Sequence, residues 1–196
     1  MTNHNSKTDN LDQLVEANQQ FAEGFSQSHL KAPPSKRLAI LTCMDCRMDP
    51  YKFAGLEDGQ AHVIRNAGGR VTEDAIRSLV ISHKFLGTVE WFVIQHTQCG
   101  MSTVNDQQIG ELLAEDLETA VHDGTQWKNP QRDNSDNTKP GSDLGKSINW
   151  YTFTDLKTSV LEDIETIKRH PLVPSHITVR GFIYDVGSGK LTAVTK

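Results

Sequence analysis

The stretch Arg37-Leu-Ala-Ile-Leu-Thr-Cys-Met-Asp-Cys-Arg47 decides the fold. Its first part, Arg37 to Thr42, is a short apolar run of the kind that forms a strand buried on both faces. A similar run, Val89-Glu-Trp-Phe-Val-Ile-Gln95, follows about fifty residues later and leads into His96-Thr-Gln-Cys99. Between them, Ala61 to Ile64 reads as a further short strand. A helix begins at Thr72, with Glu73 and Asp74 favourably placed in its first turn. Its apolar stripe is Ile76, Leu79, Val80, Phe85 and Leu86, and Gly87 ends it. Downstream, helices are predicted from about Ser102 to Val121 and from Phe153 to His170, the latter stopped by Pro171. Ile177 to Val186, Gly187-Ser-Gly189 and Leu191 to Val194 read as a C-terminal β-hairpin. Strands alternating with helices predict an α/β fold: a mainly parallel sheet flanked by helices on both faces.

Working toward the N-terminus, Lys31-Ala-Pro-Pro-Ser35 is an extended link. Before it, Leu11, Leu14, Val15, Phe21, Ala22 and Phe25 follow helical spacing, and Asp9 or Asn10 can cap the helix. Residues 10–30 are read as a helical arm and residues 1–9 as a flexible tail. Residues 128–146 hold no apolar side chain except Leu144 and read as a polar surface insertion. The expectation is one domain over 1–196, and no internal repeat is found.

The chain has 196 residues, a length that suits one ordinary domain. Twenty basic against twenty-five acidic residues give a net charge of −5, which argues against non-specific nucleic-acid binding. No run of 18 apolar residues is present, so no membrane span is expected. The first residues lack an apolar signal region, and a cytoplasmic location is the expectation. Three cysteines do not make a disulfide framework; in a reducing compartment they are buried thiols, catalytic thiols or metal ligands.

Cys43, Asp45 and Arg47 follow the first strand, and His96 and Cys99 follow the third. Ligands of open parallel sheets bind where the strands end. In an extended chain Cys43, Asp45 and Arg47 share a face and Cys46 points away, which opposes a Cys43-x-x-Cys46 redox or zinc-knuckle reading, although a turn after Asp45 could rescue it. Cys46 is read as an inert buried thiol. Two thiolates and one imidazole, from Cys43, Cys99 and His96, suit Zn²⁺. Asp45 then either fills a fourth position and closes the site or turns to Arg47 and leaves that position to water.

These two half-motifs, in this order and at this separation, resemble those of the β-class carbonic anhydrases, which carry Cys-x-Asp-x-Arg and then His-x-x-Cys. The stretch His62-Val-Ile-Arg-Asn-Ala-Gly-Gly-Arg70 resembles the family's segment beside the active site, and Arg180-Gly-Phe-Ile-Tyr-Asp185 its last core strand. The resemblance covers about residues 10–125 and 150–196, and the wording Cys-Met-Asp-x-Arg is similar to a short bacterial and fungal branch. It implies one zinc ion per chain on Cys43, His96 and Cys99, with Asp45 and Arg47 controlling the fourth position. It implies that zinc-bound hydroxide attacks carbon dioxide to give bicarbonate, in a substrate pocket bordered by Ala67, Gly68, Gly69 and Gly100. It also implies self-association as a dimer or tetramer, with the N-terminal helix packed on a partner. Bicarbonate-regulated members carry Trp three positions before the first zinc cysteine, where this chain has Ile40. The same branch contains enzymes that hydrolyse carbonyl sulfide or carbon disulfide, so a carbonyl sulfide hydrolase is the nearest rival reading. A non-catalytic protein with a closed zinc site is the rival of another class.

Overall fold

The computed structural model describes residues 9–130 and 140–195. Part of the flexible tail and of the polar insertion expected from sequence, residues 1–8 and 131–139, lies outside the described residues. The chain falls into two compact units, residues 1–32 and 33–196.

The first unit contains helix α1 (Asn10–Glu23), started by the Asp9 carboxylate, which accepts from the Leu11 amide at 3.4 Å. None of its residues is buried. Leu11, Leu14, Val15 and Phe21, with Phe25 just beyond, are exposed.

The second unit is built on a five-stranded sheet: β1 (Leu38–Cys43), β2 (Ala61–Asn66), β3 (Glu90–His96), β6 (Thr178–Tyr184) and β7 (Leu191–Val194). A separate two-residue ribbon pairs β4 (Val121–His122) with β5 (Trp127–Lys128). The sheet order is β2-β1-β3-β6-β7; the first four strands are parallel, and β7 returns antiparallel to β6. The predicted C-terminal hairpin is therefore β6–β7. Every residue of β1 is buried, because the strand is flanked on both sides and covered on both faces.

One face carries helices α3 (Glu73–Lys84) and α5 (Leu156–Arg169). Ala39, Leu41, Trp91, Val93 and Val179 of the sheet pack there against Ala75, Ile76 and Leu79 of α3 and Val160, Ile164 and Ile167 of α5. The opposite face is covered more thinly, by the short helix α2 (Pro50–Phe53) and by loop residues Met48, Leu56 and Met101 over Leu38, Ile40 and Ile94. Helices thus lie on both faces, but unequally. Gly181 in β6 makes room for α5: a Cβ there would overlap Val160.

Helix boundaries differ from the sequence reading. One difference is at a C-terminus: the helix expected to run to Val121 stops at Glu115, because Asp116 is extended, and Val121 lies in β4. The helix predicted from Ser102 is α4 (Asp106–Glu115), preceded by a 3-10 turn, Gly100–Ser102. Asn105 and Gln108 form a reciprocal capping box that fixes the later start. The helix predicted from Phe153 begins at Leu156, because the Asp155 carboxylate caps it through the Thr158 amide at 2.7 Å. Among the described residues, no helix is long and apolar enough to cross a membrane.

The turn after β2 is wedged against the end of β1. Gly69 has φ +63°, and a Cβ there would stand 2.8 Å from the Cys43 nitrogen and 2.9 Å from the Thr42 carbonyl carbon. Gly69→Ala therefore adds backbone strain and forces β1 to shift. A loss of about 2–4 kcal/mol is expected in denaturant unfolding, where an ordinary surface Gly→Ala would be nearly neutral.

Asp106 ties α4 to the segment after the insertion: its carboxylate accepts from the Trp150 amide at 2.8 Å and the Thr152 amide at 3.1 Å. Burial pushes this carboxyl up, but bonds from the Thr152 hydroxyl and these amides outweigh it and hold it below the usual 3.8. A depressed folded-state pKa stabilises the protein above the unfolded value and loses that contribution as pH falls through the folded one. Urea midpoints of the native chain and Asp106→Ala should differ most near neutral pH. The gap should narrow as pH drops below 3.8.

Candidate metal centre

Parallel pairing of β1 with β3 aligns Leu38 with Glu90 through Thr42 with Ile94. The two strands therefore deliver Cys43 and His96 to the same edge of the sheet. Beyond β3, the chain turns through Thr97 and Gln98, and Cys99 enters the 3-10 turn; the Ser102 amide and hydroxyl both donate to the Cys99 carbonyl, at 3.0 and 2.7 Å. The potential ligand atoms of Cys43, His96 and Cys99 all lie within 4.8 Å of one another, and all three residues are buried. This is the trio that the sequence reading singled out.

The imidazole is held by its other nitrogen. His96 Nδ1 is 2.9 Å from the Thr97 carbonyl, which fixes that nitrogen as the protonated donor. Thr97 is itself anchored: its amide donates to the Tyr184 carbonyl at 3.0 Å, and its hydroxyl to Asp185 at 3.2 Å. His96 Nε2 is buried and makes no hydrogen bond. A buried polar atom without a partner is costly, and a ligand lone pair aimed at a cation resolves it.

The electrostatics fit the same group. The neighbouring Cys99 thiol holds Cys43 down to about 4, against burial and with help from His96. Cys99 is pushed up by the Cys43 thiolate and by burial. Burial pushes His96 down, but the Cys43 thiolate beside it gives a net upward shift. Two thiols and an imidazole thus compete for protons in one small volume, and a divalent cation satisfies all three at once. Tetrahedral Zn²⁺, with its N/S preference, suits this donor set.

Asp45 and Arg47 lie beside the trio, but not by extended geometry. The chain leaves the strand at Cys43 and turns: the Met48 amide donates to the Asp45 carbonyl at 3.1 Å, and the Arg47 amide to Asp45 Oδ1 at 2.9 Å. The guanidinium then grips the carboxylate, Nε to Oδ1 at 3.0 Å and Nη2 to Oδ2 at 2.6 Å. Hydrogen bonds from Arg47 hold the Asp45 carboxyl down to about 2. Asp45 Oδ2 remains 3.8 Å from His96 Nε2. Arg65 braces the turn from β2, donating to the Cys43 carbonyl at 2.8 Å and the Asp45 carbonyl at 2.6 Å.

Cys46 was expected to be buried; it is exposed, because the turn at Asp45 swings it outward. Cys99, rather than Cys46, accompanies Cys43. Of the residues expected at a substrate pocket, Gly68 and Gly69 are buried, Ala67 is half-buried and Gly100 is exposed. Gly100 lines an apolar cavity of about 410 Å³ with Met101, Val104, Trp127 and Trp150.

Sequence reasoning passed over a buried cluster behind the trio. Asp163 on α5 accepts from Arg70 Nε at 2.9 Å, Arg70 Nη2 at 3.1 Å, the Val71 amide at 3.2 Å and Gln95 Nε2 at 2.9 Å. The signal was present: Ser159 and Asp163 are polar on the buried stripe of an otherwise apolar helix face.

The sequence matches the family model described as carbonic anhydrase over residues 38–191. It is 38% identical over 186 residues to beta-carbonic anhydrase 1 of Mycobacterium tuberculosis, covering 94% of this chain and 97% of that protein. It is also 34% identical over 191 residues to a carbon disulfide hydrolase of Saccharolobus solfataricus, covering 86% of this chain and 83% of that protein. The solved carbonic anhydrase of Streptococcus mutans superposes with a TM-score of 0.78 at 38% identity, covering 96% of this chain and 99% of that one. Sequence and fold converge along nearly the whole length on one set of enzymes, which act on carbon dioxide or related small molecules: the chain belongs to the β-carbonic anhydrase family.

Proposed function

We propose that this chain is a zinc enzyme that interconverts carbon dioxide and bicarbonate, with one zinc ion held by Cys43, His96 and Cys99. The observation that carries the proposal is His96 Nε2, buried, without a hydrogen bond and grouped with two thiols beside a carboxylate held by arginine. Zinc, when bound, supplies the Lewis acidity that makes water a nucleophile at neutral pH.

The protein's own residues do the rest. Thr97 fixes the imidazole tautomer, so that Nε2 presents a lone pair. Arg47 keeps Asp45 ionised and turned toward the guanidinium, which leaves a fourth position free of a protein ligand. An ionised Asp45 accepts a hydrogen bond but does not donate one, so it orients water with a lone pair directed at the substrate carbon. The backbone of Ala67-Gly68-Gly69, with Gly100, borders the substrate in this reading, since small residues allow close approach to a linear triatomic molecule. The engagement of Asp45 by Arg47 supports this reading over a closed, non-catalytic zinc site.

Hydrolysis of carbonyl sulfide to hydrogen sulfide and carbon dioxide is the second reading. The 34% identity to a carbon disulfide hydrolase favours it, since both reactions need a nucleophile attacking a cumulated carbon. Buried free thiols as ligands suit a reducing compartment, so the cytoplasm is the proposed location. The arm, the body and the polar insertion are taken as parts of one functional domain.

On zinc-verified protein, carbon dioxide hydration by stopped flow and carbonyl sulfide loss by headspace analysis separate the two substrates in one preparation. Cys43→Ala, His96→Ala and Cys99→Ala should each lose zinc by elemental analysis. Asp45→Ala should keep one zinc per chain and lose about a hundredfold in kcat/KM. Full activity in Asp45→Ala would overturn its role, and zinc-loaded protein inactive on both substrates would overturn the enzyme.

We also propose that the exposed apolar face of α1 is covered by a second copy of the chain, giving a dimer or a tetramer of such pairs. Leu11, Leu14 and Phe21 are 62%, 66% and 59% exposed, more apolar surface than one helix leaves to water without a partner. Leu14→Asp with Phe21→Asp should move the species in sedimentation velocity to the monomer. An unchanged sedimentation coefficient would remove α1 from the interface.

A further inference from the structure

The turn between His96 and Cys99 contains a residue in an unfavourable conformation. Gln98 has φ 56°, a left-handed value that a side chain with a Cβ rarely adopts. Such strain persists only where the surroundings impose it. What surrounds Gln98 is Arg47. The Gln98 carbonyl accepts from Arg47 Nη2 at 3.1 Å, and its side-chain amide oxygen faces Arg47 Nη1 at 3.4 Å. The Nε and Nη2 edge of the same guanidinium grips Asp45. Arg47 is therefore clamped between a carboxylate on its own turn and Gln98 on the turn after β3.

The clamp matters because Arg47 is long and its side chain is 45% exposed. Left to itself, such a side chain samples many rotamers. Asp45 Oδ2 lies 3.8 Å from His96 Nε2, so a small rotation of a released carboxylate carries it to the ligand trio.

We propose that Gln98 is a positioning residue: seated on the outer edge of the Arg47 guanidinium, it holds Arg47 on Asp45 and so holds the Asp45 carboxylate off the fourth metal position. This rests on the reading of Cys43, His96 and Cys99 as the zinc ligands. It predicts that loss of the Gln98 amide lets Asp45 compete with external ligands for that position. A residue that served only the turn would behave oppositely, since glycine accepts the left-handed conformation at no steric cost.

The test uses cobalt(II)-substituted protein, with azide as the external ligand and the visible cobalt absorption as the readout. Gln98→Gly removes both the amide and the strain, and Gln98→Met keeps the length without an acceptor. Both should weaken azide binding by roughly fivefold, the factor set by losing a hydrogen bond of about 1 kcal/mol. The thermal midpoint of Gln98→Gly should equal or exceed that of the native chain. In an Asp45→Ala background, Gln98→Gly should leave azide affinity unchanged, because the competing carboxylate is gone. Unchanged azide affinity in both single variants, or the same loss in the Asp45→Ala background, overturns the role of Gln98. Failure of the native chain to take up cobalt with thiolate-to-metal absorption overturns the metal centre itself, a separate result.

Discussion

The parallel pairing of β1 with β3 is the constraint on which the site depends. Parallel strands need a crossover, and here it contains β2, the glycine turn and α3, all delivered between the two half-motifs. The pairing places Thr42 level with Ile94, so the chain ends of both strands emerge together. Thr42 also donates its hydroxyl to the Ile94 carbonyl at 2.8 Å, a buried tie one residue before Cys43. A slip of this register would change the offset between Cys43 and His96, which follow the last paired residues of the two strands. The ligand trio is thus a consequence of sheet register before it is a matter of loop conformation.

The second layer of support is ionic and buried. Burial pushes the Asp163 carboxyl up, and Arg70 and the Val71 and Gln95 amides only partly offset this. Removing either charge would leave the other stranded, whereas the intact pair is weak evidence for net stability. Its value lies in what it joins. Arg70 follows Gly69, Gln95 precedes His96, and Arg70 Nη1 also donates to the Tyr151 carbonyl at 2.9 Å. One carboxylate on α5 thereby fixes the glycine turn, the end of β3 and the segment beyond the insertion.

The fold was legible because β1, and most of β3, is buried on both faces. Continuous apolar runs such as Leu38 to Leu41 have few alternatives, and the ligand residues follow them directly. What escaped sequence reading depends on side chains meeting across the fold or on local turns. The helix read from Ser102 starts at Asp106, because the Asn105–Gln108 capping box sets its start. Arg47 reaches Asp45 through an Asx-type turn rather than through extended alternation. The same turn exposes Cys46, which composition alone reads as buried. Gly69 carried no mark distinguishing a glycine that packs on backbone from one that borders a substrate. Asp163 and Gln98 make contacts 93 and 51 residues away, which no local pattern encodes.

The division of labour within the molecule bears on substrate choice. The residues proposed as metal ligands come from strand ends and the turn that follows. The residues around them come from loops on the thinly covered face of the sheet, among them the turn that exposes Met44 and the 3-10 turn that begins at Gly100. Relatives named for carbon dioxide chemistry and for carbon disulfide chemistry stand at comparable identity, 38% and 34%, so overall similarity does not discriminate between them. A nucleophile common to both reactions does not discriminate either. On the proposed reading, selectivity between oxygen and sulfur belongs to the loops around the trio, where the chain is freer to vary than in the strand register that brings Cys43 and His96 to one edge.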